Sequence, residues 1–170
     1  MKRFAVAAVA AIALATPALA QDEATFTGFR VEGLIGYDVV STPAISDQDG
    51  LLYGVGIGYD FNAGPVVLGV EADVTDSTTK IAGIVSDRDL YVGARVGTVV
   101  GQSLLYAKAG YTNARLESPV GNANFDGVRL GAGVEYALGG NMFLKGEYRY
   151  SNYEADLSRH QVVGGFGIRF

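Results

Sequence analysis

Q-V-V-G-G-F-G-I-R-F, residues 161–170, alternates residue by residue. Val162, Phe166, Ile168 and Phe170 share one parity, and Gln161, Gly165, Gly167 and Arg169 share the other. Successive side chains of a β-strand point to opposite faces, so this stretch predicts a strand with one apolar face and one face of glycine and polar residues. It stops on an aromatic residue, Phe170.

The same alternation recurs upstream. Read with period two, the chain predicts strands at 26–38, 51–61, 65–76, 88–100, 104–116, 126–138, 142–153 and 161–170. Each is long enough to cross a bilayer as a tilted strand, which takes ~9–11 residues. The strands with several charges test the phase best. Arg30 and Glu32 share one face while Phe29, Val31, Ile35 and Tyr37 share the other. Glu71 and Asp73 oppose Val66, Leu68, Val70, Ala72 and Val74; Lys145, Glu147 and Arg149 oppose Met142, Leu144, Tyr148 and Tyr150. A charge facing lipid at mid-bilayer costs ~2–4 kcal/mol, so one uncharged face per strand is what lipid selects.

The connections are of two kinds. Asn62-Ala63-Gly64, Gly101-Gln102-Ser103 and Gly139-Gly140-Asn141 read as tight turns. The connections 39–50, 77–87, 117–125 and 154–160 are longer and more polar, and are predicted as loops. Short turns on one side and longer loops on the other is the asymmetry of outer-membrane barrels. The reading is therefore all-β: a single eight-stranded antiparallel up-and-down transmembrane barrel. A soluble sandwich would not need an apolar face flanked by aromatics on every strand, and a soluble ligand-binding barrel would turn that face inward.

Residues 1–20 predict a signal peptide. Lys2 and Arg3 precede an apolar run, and Ala18-Leu19-Ala20 forms a cleavage motif at Ala18 and Ala20. The barrel domain is then 21–170. All 18 acidic residues but only 11 of the 13 basic ones lie in it, a net charge of −7. Without a basic stripe, nucleic acid is not an expected partner. The chain has no cysteine, which removes disulfide and thiol chemistry.

The inward parity collects Arg30, Glu32, Asp60, Glu71, Asp73, Arg95, Lys108, Arg129, Glu135, Lys145, Glu147, Arg149 and Arg169. Glu71, Arg95, Lys108, Glu147 and Arg149 fall at mid-strand and are the expected central ion-pair cluster; Arg129, Glu135 and Lys145 complete the candidate network. Glycines fill many of the remaining inward positions, which would let a narrow bore close around long side chains. Tyr91, Tyr106 and Phe143 also fall inward, as filler or at bulges. Tyr59, Phe61, Tyr136 and Phe170 are expected at the inner interface, and Tyr37, Tyr53, Tyr111 and Tyr150 at the outer one.

Chemistry-bearing motifs are sparse. Ser158 and His160 stand two apart, with Glu154 or Asp156 available to orient the imidazole, but the pair lies at a loop edge with no evident oxyanion partner. Asp47-Gln48-Asp49-Gly50 resembles the start of a calcium loop but lacks the remaining ligands, and a solvated hairpin loop is the better reading. No cofactor is implied.

The stretches F-R-V-E-G-L-I-G-Y-D (29–38), Y-G-V-G-I-G-Y-D-F (53–61), G-V-E-Y-A-L-G (133–139), L-K-G-E-Y-R-Y (144–150) and G-G-F-G-I-R-F (164–170) resemble the small eight-stranded outer-membrane proteins. These are the OmpA-type barrel and, more closely, the opacity-protein "porin family" of Gram-negative bacteria. The resemblance implies location in the cell outer membrane after export through the general secretory route. It implies contact with outer-membrane lipids and lipopolysaccharide, and recognition by the barrel-assembly machinery through Phe166, Ile168 and Phe170. A periplasmic peptidoglycan-binding domain, carried by full-length OmpA-type proteins, is not expected after the last strand. Three functions remain open: a structural and surface-interaction protein with a charge-plugged lumen and partners at the loops, a narrow pore for small solutes, and a lipid-modifying enzyme using Ser158 and His160. Fold does not choose among them.

Overall fold

The computed structural model describes residues 26–42, 45–78, 87–118, 121–153 and 157–170. The predicted signal segment with Ala18 and Ala20 lies outside the described residues, as do Glu154 and Asp156. The described chain forms β1 (Gly28–Thr42), β2 (Ile45–Ala63), β3 (Val66–Ser77), β4 (Asp87–Val100), β5 (Ser103–Ser118), β6 (Gly121–Gly139), β7 (Met142–Tyr153) and β8 (Leu157–Arg169). Each strand pairs antiparallel with the next and β1 pairs with β8, closing the barrel. Closure leaves no sheet edge through the bilayer, which is what a water-free environment demands of strands. At the β1–β8 seam, the Phe170 amide donates to the Phe29 carbonyl at 2.7 Å, and on the other side of β8 the Arg169 amide donates to the Asn141 carbonyl at 2.7 Å.

Three tight turns lie at or beside the predicted positions; the first is Gly64-Pro65, because Asn62 and Ala63 remain paired in β2 with Val67 and Val66. Gly64 and Gly101 adopt φ of 72° and 61°, a left-handed conformation that glycine enters without strain.

The opposite end differs from expectation. Segments 39–50 and 117–125, predicted as loops, are largely paired strand: Val39 opposes Asp49 and Val40 opposes Gln48, while Arg115 opposes Asn124 and Ser118 opposes Gly121. The Asp47–Gly50 run is thus strand rather than a solvated loop, and Asp49 accepts a hydrogen bond from the Tyr37 hydroxyl. The polar sequence of these segments hid this, because period-two alternation signals a strand only where one face is apolar. In the connection 154–160, β8 already starts at Leu157; most of 77–87 lies outside the described residues.

Phe26 also departs from the reading. It precedes β1 rather than opening it and is buried with Val67, Leu104 and Tyr106 at the turn end of the bore. Along the central band the outward face is apolar: Val31, Ile35, Val55, Ile57, Val70, Val92, Leu130 and Val162 are all exposed. Tyr37, Tyr53, Tyr59, Phe61, Tyr111, Tyr136 and Phe170 are exposed on that face, as expected of interfacial girdles.

Candidate functional site

The polarity of this barrel is inverted relative to a soluble protein. Among the described residues, eight basic side chains (Arg30, Arg95, Lys108, Arg129, Lys145, Arg149, Arg159, Arg169) and eight acidic ones (Glu32, Asp38, Asp60, Glu71, Asp73, Asp89, Glu135, Glu147) are buried. The described charged residues of the interior therefore balance. Isolated buried charges are strongly unfavourable, so such a set persists only if each member is paired.

The pairing runs from one end of the bore to the other. Near the turns, Asp60 takes Arg95 at 2.7 Å, Arg169 at 2.7 Å and Arg30 at 3.1 Å, and Glu135 takes Arg95 at 3.0 Å and also Arg169. In the middle, Glu71 binds Lys108 at 2.6 Å and Arg30; Glu32 binds Lys145 at 2.7 Å and Arg30 at 2.9 Å; Glu147 binds Lys108 at 2.9 Å and Arg149. Near the loops, Asp89 takes Arg129, the Tyr153 hydroxyl at 2.8 Å and Arg159 at 3.4 Å, while Asp38 takes Arg159 and the Ser77 hydroxyl at 3.0 Å. Asp73 links the middle to the loop end through Arg149 at 3.3 Å and Arg129 at 3.7 Å.

Of the predicted central cluster, the structure brings Glu71, Lys108, Glu147 and Arg149 together. Arg95 stands apart, held at the turn end by Asp60 and Glu135. Lys145 joins the middle, Glu135 the turn end and Arg129 the loop end. Arg95 is directly opposite Lys108 across β4–β5, so the difference is one of side-chain direction: the Arg95 guanidinium reaches Asp60 and Glu135, while the Lys108 ammonium reaches Glu71 and Glu147. The sequence reading also omitted Asp38, Asp89 and Arg159. Asp38 and Asp89 carry the same parity as Arg30 and Arg95, so the signal was present; Arg159 was assigned to a loop.

The inward aromatics fill the bore, and of the three Phe143 also adjoins a register irregularity, between Ala137 and Gly139 on β6. Each lies over a cation: Lys108 and Arg129 against Tyr91 at 4.5 and 5.3 Å, Arg95 against Tyr106 at 4.9 Å, and Arg169 against Phe143 at 5.5 Å. The Tyr106 hydroxyl donates to Glu147 at 2.6 Å. Arg30, Arg129, Arg149 and Glu135 are 0% exposed, so these charged side chains are shielded from solvent.

Ser158 and His160 lie on the outward parity of β8, since Arg159 and Gln161 beside them are buried. His160 Nδ1 shares a hydrogen bond of 2.6 Å with the Tyr148 hydroxyl, and its ring lies 5.0 Å from that of Tyr150. The ring nitrogen that a carboxylate would orient in a hydrolytic triad is therefore held by a phenol. No group of three or more potential metal ligands occurs among the described residues.

A closed eight-stranded barrel with an apolar exterior and a paired-charge interior defines an integral outer-membrane β-barrel. The chain belongs to the outer membrane protein beta-barrel domain family, whose model matches residues 5–170. That membership places it in the outer membrane of Gram-negative bacteria. A 22 kDa outer membrane protein of Rhizobium leguminosarum bv. viciae is 31% identical over 134 residues, which cover 66% of this chain and 63% of the relative's length. Among solved structures, Neisserial surface protein A superposes with a TM-score of 0.63 at 17% identity, covering 85% of this chain and 98% of that one. Ail, the attachment invasion locus protein of Yersinia pestis, gives 0.58 at 19%, covering 84% and 99%. The outer membrane enzyme PagL gives 0.52 at 12%, covering 83% and 99%. These likenesses concern the fold, which serves surface proteins and an enzyme alike.

Proposed function

We propose that the protein is a non-enzymatic membrane scaffold: its plugged barrel anchors paired hairpins that project from the outer surface and meet partners there. The observation that carries this reading is the bore itself. A water-filled path would leave the lumen side chains wet, whereas Arg30, Arg129 and Arg149 are fully buried and bonded to carboxylates. The rigid wall below and the strand extensions above suit the display of a surface, and loops on rigid scaffolds are where binding residues concentrate. The outer partners would meet the regions 39–50, 77–87, 117–125 and 154–160. Lipopolysaccharide and phospholipid would cover the apolar wall. Phe166, Ile168 and Phe170, all exposed on β8 and at its end, would be read by the barrel-assembly machinery after removal of residues 1–20.

The pore reading rests on the "porin family" name of the proteins the sequence resembles, and conductance separates the two. Protein purified in folded form from outer membranes is placed in a planar bilayer, with heat-modifiable gel migration verifying the barrel. A silent membrane is the expected result; discrete, reproducible current steps would overturn the plugged scaffold. For the enzymatic reading, Ser158→Ala and His160→Ala should leave the lipid A acylation pattern of the host membrane unchanged.

A further inference from the structure

The two ends of the bore are finished differently. At the loop end, Asp38, Ser77, Asp89, Tyr153 and Arg159 form a bonded polar layer. At the turn end, the first buried positions of β3 and β5 are apolar, Val67 and Leu104. Apolar side chains at the mouth of a bore would face water unless something covered them. Phe26 covers them. It is 3% exposed and joins Val67, Leu104 and Tyr106 in one cluster, with Ala137 of β6 packed against it.

This cluster crosses the mouth. Phe26 immediately precedes β1, and β5 stands four strands from β1 whichever way the closed barrel is followed. Gly28, the first residue of β1, has a φ of 106°, and a Cβ built there would come within 2.1 Å of the Phe170 carbonyl oxygen. Glycine alone takes this conformation readily and lets the chain pass so close to another backbone. The bend takes the chain off the wall, and Phe26 ends among residues of the opposite wall.

Charges lie directly behind the cluster. Leu104 opposes Glu135 across β5–β6. The Tyr106 ring lies 4.9 Å from the Arg95 guanidinium, and its hydroxyl donates to Glu147 at 2.6 Å. Asp60, Arg95, Glu135 and Arg169 form the last ion-paired layer before the mouth. Such pairs attract more strongly where water is excluded.

We infer that Phe26 is a lid: it seals the turn-end mouth of the bore and keeps water from the layer of Asp60, Arg95, Glu135 and Arg169. Phe26 lies outside the barrel strands, so it can leave its seat without breaking a strand pair. Its release bares Val67 and Leu104 and opens that layer from the turn side alone. The lid goes beyond the plugged bore, because the ion pairs behind it fill the lumen whether it is seated or not.

The chain contains no cysteine, so one introduced thiol is the sole reporter. The full chain, purified in folded form in detergent, carries Leu104→Cys, and its rate of labelling by a charged methanethiosulfonate is compared with that of Ala63→Cys, an exposed position at the same end. L104C is expected to react at least about tenfold more slowly than A63C, and F26A in the L104C background should remove most of that protection. F26L, which keeps an apolar side chain, should retain most of it. Equal rates for L104C and A63C, or protection that survives F26A, overturn the lid. Heat-modifiable migration verifies folding; F26Q serves if F26A fails to assemble, and Val67→Cys replaces Leu104→Cys as reporter if that variant fails. In a planar bilayer, F26A is expected to stay silent. A current through F26A together with fast labelling at position 104 would support the lid and overturn the ionic plug, whereas unchanged labelling would overturn the lid and leave the plug standing.

Discussion

Gly167 on β8 faces the lumen and Gly146 on β7 faces lipid, and the two meet opposite surroundings. A methyl group built on Gly167 would come within 2.4 Å of the Phe143 ring and 2.6 Å of the Val31 carbonyl; one built on Gly146 would meet nothing within 4 Å. The contrast holds more widely. Gly58 opposes Arg30, Gly56 opposes Glu32, Gly131 opposes Lys108 and Gly165 opposes Lys145, so each small residue makes room for a long one across the strand pair. The lumen has a fixed volume set by eight strands and must be filled without overlap. Lipid is fluid and adapts to whatever relief the wall presents. Packing therefore constrains one face of every strand, while polarity constrains the other.

Four substitutions would sharpen or break this contrast. The largest effect is expected from Arg95→Ala, which removes a buried cation that bridges Asp60 and Glu135 and should lower the unfolding free energy by about 3–5 kcal/mol. Denaturant unfolding in vesicles reads it, and a midpoint equal to the parent's would show that the network does not hold the barrel. Leu130→Arg puts the same charge on the lipid face of β6 and should destabilise by about 2–4 kcal/mol, measured by the same titration. A neutral result there would mean that Leu130 does not face the bilayer interior. Gly167→Ala overfills the bore and should cost about 1–3 kcal/mol. Gly146→Ala, its lipid-facing counterpart, should change stability by no more than about 0.5 kcal/mol. If the two glycine variants proved equal, lumen packing would not be the constraint proposed for Gly167.

The barrel was legible in the sequence because lipid imposes a simple rule on every strand. Residues 161–170 alone display it, and charges such as Lys145, Glu147 and Arg149 agree in phase. The outer parts of β1, β2, β5 and β6 were not legible, since residues such as Asp49 and Gln48 stand in strand pairs above the apolar band, where alternation carries no signal. Arg159 was missed for the same reason, being read as part of a polar loop. Asp38 and Asp89 were available to a stricter parity reading. The opposition of Arg88 on β4 and Arg115 on β5 was not: the two lie 27 positions apart, and only β4–β5 register makes them neighbours.

By itself, the sequence determined which face each central side chain would take, because period-two alternation against lipid fixes inside and outside independently for each strand. The tertiary structure alone decided which charges meet. Arg95 reaches Asp60 on β2 and Glu135 on β6 rather than the mid-strand Glu71, and Asp38 meets Arg159 across the β1–β8 seam. Those pairings depend on register, tilt and closure, which belong to all eight strands together and are written in none of them singly.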